Sequence, residues 1–591
     1  MMQKTNLLGR FLMWRVKHIS NKQFVLFLSG VVGLAVGLSA VVIKNSVHFI
    51  QSFLTHGFTK EYENYLFFVY PAIGIFIAVI FARFIIRQRV GHGIPSVLFS
   101  ISKNNGILKR HNMFSSIITS SLTVGFGGSV GLEGPTVATG AALGSNIGRV
   151  MHLEYKQVIL LLGCACAGAM AAIFKAPIAA IVFAMEVIML DLTMTSLVPL
   201  LIASSTAVLT SYLFLGQDVL YTFEIKEFFK MRDLPFYIGI GILSGFISVY
   251  FTRIYMFVGA LFEKINKWYI KLLLGGFFLG VLIFFFPSLF GEGYEEINSC
   301  LKGDYSYLFD HSLYYSFRDN IFAIIILLTA IILFKVFATS ITFGAGGVGG
   351  IFAPTLFLGA NAGLMFALFF NQFGAEISTS NFALVGMAGT IAGVIHAPLT
   401  AIFLIAEITN GYDLFIPLMI VSTISYATTK IFESNSVYTI QLAKRGELMT
   451  HHKDKNVLSL MKVEKLIEKN FLEINVEASL RDLVHIVSDS TRNVYPVTDS
   501  ESNFYGIVFL DDIRHIMFKH ELYDETFVRN LMFMPSTIVY RNDTMEEVAQ
   551  KFQLSGKYNL PVIDDGKYKG FVSRANVFSK YRQLLKKFSD E

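Results

Sequence analysis

One acid stands inside a turn built for anions. Glu133 lies in GFGGSVGLEGPT (125–136), where five glycines crowd ahead of Pro135. Proline is favoured at the first helical position because its missing N–H would be unpaired there anyway. The helix that follows opens with free N–H groups and the positive end of its dipole, approached by flexible backbone. That is an anion site made of amides. GGVGGIFAPT (346–355) sets Pro354 in the equivalent place, and GHGIPS (91–96) makes a third such turn at Pro95. A weakly hydrated monovalent anion suits amides, whereas Lys or Arg would hold it too tightly to let it leave. A carboxylate within the membrane costs roughly 2.5–3.5 kcal/mol on insertion scales, so Glu133 calls for a reason. Its charge can compete with the anion and its protonation can release it, which makes Glu133 a candidate gate and proton acceptor. The alternative is a structural glutamate bonded to backbone N–H groups.

A repeat arbitrates. The turn at 127–136 recurs 219 residues later at 346–355, and over 18 residues the copies share eight identities, five of them Gly. FKAPIAAIVFAMEV (174–187) recurs as IHAPLTAIFLIAEI (395–408). The second copy carries Phe352 where the first has Glu133, and a structural acid would be expected in both. Glu186 and Glu407 do occupy matching positions and read as structural, bonding helix ends or loops. Lys175 and His396 also match, each just before Ala-Pro, and read as polar groups at helix starts.

Enzyme motifs do not survive their context. GGSVG (127–131) fits G-x-S-x-G without a preceding strand or a His/Asp pair. GAGGVG (344–349) fits G-x-G-x-x-G without a βαβ setting. Cys164 and Cys166 lie in apolar sequence with no ligand-spaced partner, so no metal site and no disulfide framework is expected from the three cysteines.

The elements that position these turns are helices in a bilayer. Hydrophobic residues make up 53% of the 591 and charged residues only 16%, with the apolar runs confined to 1–440. Thirteen apolar segments fall between 24 and 432, several shorter than the ~20 residues of a full span and many broken by Gly or Pro. Broken segments are tolerated where protein or a polar cavity buries the loose backbone. The expectation is an all-α polytopic membrane domain over 24–440 with discontinuous helices, in repeats at about 24–216 and 235–440. Two half-helices can aim their N-termini at one midplane point only from opposite sides, which favours inverted repeats. Residues 1–23 hold five Lys/Arg and no acid and read as a cytoplasmic N-terminal segment. With a net charge of +6 and no basic stripe, nucleic acid is not an expected partner.

The tail, 441–591, is charged and itself repeats. NVYPVTDSESNFYGIVFLDDI (493–513) resembles YNLPVIDDGKYKGFVSRANV (558–577), pairing Pro496 with Pro561 and Gly506 with Gly570. Two small α+β modules follow, at about 457–520 and 525–587, with amphipathic helices near 476–490 and 543–555.

These motifs resemble the CLC family of chloride channels and chloride/proton exchangers over almost the whole chain. GHGIP (91–95), GLEGP (131–135) and GGIFAP (349–354) look like its three signatures, and SVYTIQL (436–442) resembles the start of its last helix. The resemblance implies a multi-pass homodimer in a bacterial inner membrane with one chloride pathway per subunit and both termini cytoplasmic. It makes Glu133 the gating glutamate. Gly91, His92, Gly93, Gly131, Leu132, Gly134 and the N–H groups of Ile351 and Phe352 become the anion site, with Tyr438 supplying a hydroxyl. His92 stands where many members have serine. Proton-coupled members usually carry a further glutamate where this chain has Val187, beside Glu186 as a possible relay. Valine there implies a passive channel gated by Glu133, the alternative being a chloride/proton antiporter. The tail resembles a CBS-domain pair, often an adenine-nucleotide sensor, in which Asp512, Ser573 and Asn576 fall at ribose-binding positions. No cofactor is implied for transport itself.

Overall fold

The computed structural model describes residues 7–57, 63–88, 93–104, 106–188, 196–216, 228–309, 314–409, 412–444, 458 and 461–589. The chain divides into two compact units, Met1–Leu448 and Met449–Glu591. In the first unit nine helices among the described residues are long and apolar enough to cross a membrane, and three shorter apolar helices accompany them. Their lengths vary widely. Asn21–Gly57 has 37 residues and Pro177–Phe183 only seven. At 1.5 Å per residue the first is longer than the ~30 Å hydrocarbon core, while the second cannot span it.

The internal repeat sets the packing. Glu133–Val150 lies against Tyr155–Phe174, as Phe352–Asn371 lies against Thr379–Ile395. Asn21–Gly57 packs on Leu197–Leu215, and Leu234–Glu263 packs likewise on Phe415–Phe432. Part of the shared glycine is helix-packing glycine. A Cβ on Gly140 or Gly144 would come within 2.8 and 2.6 Å of carbonyls on the neighbouring helix. On the matching Gly359 and Gly363 the distances are 2.3 and 1.9 Å. Small residues at four-residue spacing let membrane helices approach this closely, where no hydrophobic force between helices is available.

The helices that precede the two turns end alike. Gly128 N–H donates to the Thr123 carbonyl at 2.8 Å, and Gly347 N–H to that of Thr342 at 2.9 Å. Gly127 and Gly346 then take φ of 89° and 105°, which favour glycine. The two turns meet at equivalent residues. Gly131 N–H donates to Gly350 O at 2.8 Å, and Gly350 N–H to Gly131 O at 2.7 Å. Matching residues thus bond to each other in an antiparallel bridge. The helices Glu133–Val150 and Phe352–Asn371 begin two residues beyond it.

The tail holds two three-stranded sheets of the same order. In the first, β1 (Ile474–Asn475) runs parallel to β2 (Val494–Thr498), which is antiparallel to β3 (Phe504–Phe509). In the second, β4 (Val539–Tyr540), β5 (Asn559–Asp564) and β6 (Lys567–Ser573) repeat that pattern. The expected amphipathic helices are Leu480–Asp489 and Met545–Ser555, each opened by a capping box. The modules also exchange backbone. Glu468 pairs with Phe571 of β6, while Phe533 pairs with Ile507 of β3.

Candidate anion pathway and its gate

The site forms around the Gly131–Gly350 bridge. Glu133, the first residue of its helix, is fully buried. Its Oε1 accepts a hydrogen bond from the Tyr294 hydroxyl at 2.6 Å. Among the described residues its Oε2 has no hydrogen-bond partner of normal geometry. That oxygen lies over the bridge: a Cβ on Gly131 would stand 2.1 Å from it and one on Gly350 3.1 Å. The carboxylate therefore occupies the space between two helix N-termini, where their positive ends favour a negative charge.

The turn ahead of Pro95 joins the cluster. Gly93 takes φ 56°, and a Cβ there would be 3.2 Å from the Gly134 Cα. Gly134 in turn faces Gly350, at 3.0 Å from its own hypothetical Cβ. Gly93, Gly131, Gly134 and Gly350 thus bring three backbone segments close together beside the Glu133 carboxylate. Gly91 and His92 lie outside the described residues. Leu132 and Ile351 are buried N-caps of the two helices. Tyr438 is 6% exposed, within electrostatic reach of Glu133, and its hydroxyl has no partner among the described residues. A buried hydroxyl with a free donor suits an anion.

Phe352 is walled off. Its ring lies 5.8 Å from the rings of both Phe174 and Phe183.

Glu186 and Glu407 cap each other's repeat. Glu186 accepts from Leu399 N–H at 3.2 Å, Thr400 N–H at 2.8 Å and the Thr400 hydroxyl at 2.7 Å. Glu407 accepts from Ile178 N–H at 3.1 Å and Ala179 N–H at 2.8 Å. Each carboxylate satisfies orphan donors at the proline-led start of a short helix in the opposite repeat. Val187 lies beside Glu186 in a π-turn, Ala184–Ile188, half-buried against the core. Lys175 and His396 end their helices in the left-handed conformation, at φ 57° and 60°. They are C-terminal caps ahead of Ala-Pro.

Sequence reasoning missed a second group of residues beside Glu133. Tyr294 is one. Glu292 Oε1 accepts from Leu132 N–H at 3.2 Å. Lys335, fully buried, donates to the carbonyls of Leu289 and Gly291 at 3.4 and 3.1 Å. Lys44 donates to Ile173 O at 2.7 Å. A signal was visible: a lone lysine inside the 24-residue apolar helix Ile321–Gly344, and GEGYEEI at 291–297 following an apolar run.

In the tail, the Ser573 hydroxyl bonds the Glu468 carboxylate and accepts from Asn576 N–H at 3.1 Å. Arg492 holds Glu468 at 2.9 Å and Asn470 at 3.0 Å. Asp512 is exposed on the short helix Leu510–Ile513.

Converging helix N-termini, glycine turns paired across an internal repeat and a buried carboxylate between them define an integral membrane protein of the anion-transport class. The family model "Voltage gated chloride channel" matches residues 73–430, and the chain belongs to that family. A CBS domain model matches 528–582. The chain is similar to a ClcB-like protein of Ralstonia nicotianae, 26% identical over 436 residues, covering 72% of this chain and 97% of that one. It is 29% identical over 433 residues to the "H(+)/Cl(-) exchange transporter ClcA" of Vibrio cholerae, covering 70% and 88%. The crystal structure of a slow cyanobacterial Cl-/H+ antiporter superposes with TM-score 0.60 at 22% identity, covering 71% and 97%.

Proposed function

We propose that the protein exchanges chloride for protons across its membrane, with Glu133 as gate and proton carrier. The observation that carries this is the position of Glu133 Oε2 over the Gly131–Gly350 bridge. There the carboxylate takes the place of an anion. Protonation removes its charge and frees the space for chloride, held by the amides of Ile351 and Phe352 and the Tyr438 hydroxyl. When the anion leaves, the carboxylate returns and its proton is given up. Val187 alone favours passive conduction, but the relative named as an exchange transporter supports exchange. Since Val187 offers no proton acceptor and Glu186 is engaged as a cap, water carries the proton between Glu133 and the far side. The basic first 23 residues set the N-terminus on the cytoplasmic side, with the tail there too, in a homodimer having one pathway per subunit. Adenine nucleotide binding to the tail near Asp512, Ser573 and Asn576 requires the Glu468 carboxylate to leave Ser573.

Liposomes loaded with chloride and held at a uniform starting pH test the reading. An outward chloride gradient is expected to drive proton uptake. Chloride flux with no proton movement would return the protein to the channel reading. Glu133→Gln is expected to keep chloride flux while abolishing both proton movement and the response of flux to pH.

A further inference from the structure

A loop reaches the gate from outside the glycine turn. Phe290–Tyr294 touches that turn at three successive points. Gly291 N–H donates to Gly127 O at 3.0 Å, Leu132 N–H to Glu292 Oε1 at 3.2 Å, and the Tyr294 hydroxyl to Glu133 Oε1 at 2.6 Å. The Phe290 ring covers Gly127 so closely that a Cβ there would fall 1.9 Å from it. The loop is held from behind as well. Lys335 grips the carbonyls of Leu289 and Gly291, with its ammonium 4.6 Å from the centre of the Phe357 ring. Gly293, at φ 85°, then turns the chain into the helix Tyr294–Lys302, which fixes where Tyr294 points.

We propose that Phe290–Tyr294 is a latch on the gate: Tyr294 is a positioning residue that holds the Glu133 carboxylate over the Gly131–Gly350 bridge and so sets the pH at which the gate releases. The proposal rests on Glu133 being the gate. A hydroxyl that donates to a carboxylate favours its charged form, and a charge-assisted bond of this length is of the stronger kind. Without the hydroxyl, protonation and release come at higher pH. The other charged or titratable groups facing Glu133 are Lys44, Glu292 and Tyr438. Lys44 also faces Lys175, and Glu292 also faces Lys335. Tyr294→Phe leaves all of them in place, so a shift in the pH profile reports the hydroxyl.

The test is chloride efflux against pH from liposomes holding the full chain, for the parent, Tyr294→Phe, Glu133→Gln and the double variant. Tyr294→Phe is expected to move the pH midpoint up by roughly one unit and to raise flux near neutrality about three- to tenfold. In the Glu133→Gln background the same change is expected to do nothing, because there is no carboxylate left to hold. Tyr294→Leu serves as the second variant if Tyr294→Phe is not monodisperse in detergent, with the same expected shift. An unmoved midpoint, or an equal factor in both backgrounds, overturns the latch. A Glu133→Gln profile identical to the parent's overturns the gate instead, so the two failures are distinguishable.

Discussion

At residues 133 and 352 the two repeats share a backbone and part in chemistry. Both turns leave a helix through a glycine of positive φ, both donate a capping bond to a matching threonine carbonyl of that helix, and each bonds the other through its central glycine. One then carries a carboxylate that faces a hydroxyl and the bridge. The other carries a phenyl ring closed in by two more rings. Symmetry thus supplies two converging helix N-termini, and one asymmetric side chain places a single carboxylate between them. A carboxylate at 352 would meet an aromatic wall, where an unpaired charge is costly. The contrast can be attacked directly. Phe352→Ala empties a packed position and is expected to destabilise the membrane unit by about 3–5 kcal/mol, read as a large fall in the unfolding midpoint in detergent. Glu133→Gln is expected to leave that midpoint close to the parent's. If it falls as far as in Phe352→Ala, Glu133 is a structural residue and the comparison fails.

Glu186 and Glu407 show the opposite case, in which both repeats keep the acid because each needs it. The caps are reciprocal, so the two variants Glu186→Gln and Glu407→Gln should behave alike. A carboxylate bonded to backbone N–H groups contributes about 1.5–3 kcal/mol, so each substitution should lower thermal stability by up to that amount. Neither should change the pH dependence of chloride flux. Loss of proton movement in Glu186→Gln but not in Glu407→Gln would make Glu186 a relay and end the symmetry argument.

Much of this was legible in the sequence, for identifiable reasons. Gly127, Gly131 and Pro135 constrain backbone locally, so their spacing already described two helix starts, and the repeat said that the starts meet. The mismatch of Glu133 with Phe352 singled out the carboxylate that lies over the bridge, and the match of Glu186 with Glu407 pointed to structure. What the sequence could not convey was partnership across distance. Nothing near residue 186 says that its carboxylate caps residues 399 and 400. Nothing near 133 says that Tyr294, 161 residues on, supplies its hydrogen bond. Val187 speaks to the transport mode through one side chain alone, whereas a proton path is a property of a whole cavity. Lys175 and His396 were read as polar groups at helix starts, but they end the preceding helices, because left-handed backbone at a non-glycine residue is not visible in residue type.

The tail offers the mildest form of the same comparison, since its modules repeat a local device rather than a long-range one. Ser479 with Asp482 and Thr544 with Glu547 form capping boxes at matching places. Ser479→Ala and Thr544→Ala should each destabilise the tail by about 1 kcal/mol, measured on the full chain as faster proteolysis of 461–589. Acid should distinguish the first. Hydrogen bonds from the backbone and then the hydroxyl of Ser479 hold the Asp482 carboxyl below the usual carboxylate range. A depressed folded value means the contribution is complete above the unfolded value, ~3.9 for Asp, and fades as pH falls through the folded one. Asp482 is mostly exposed, so solvent screening keeps this part small. The gap in protease resistance between parent and Ser479→Ala should therefore be wider at pH 7 than at pH 3. A gap of equal size at both would show that the Ser479 hydroxyl acts on the Asp482 backbone N–H alone, and that its bond to the Asp482 carboxylate contributes nothing.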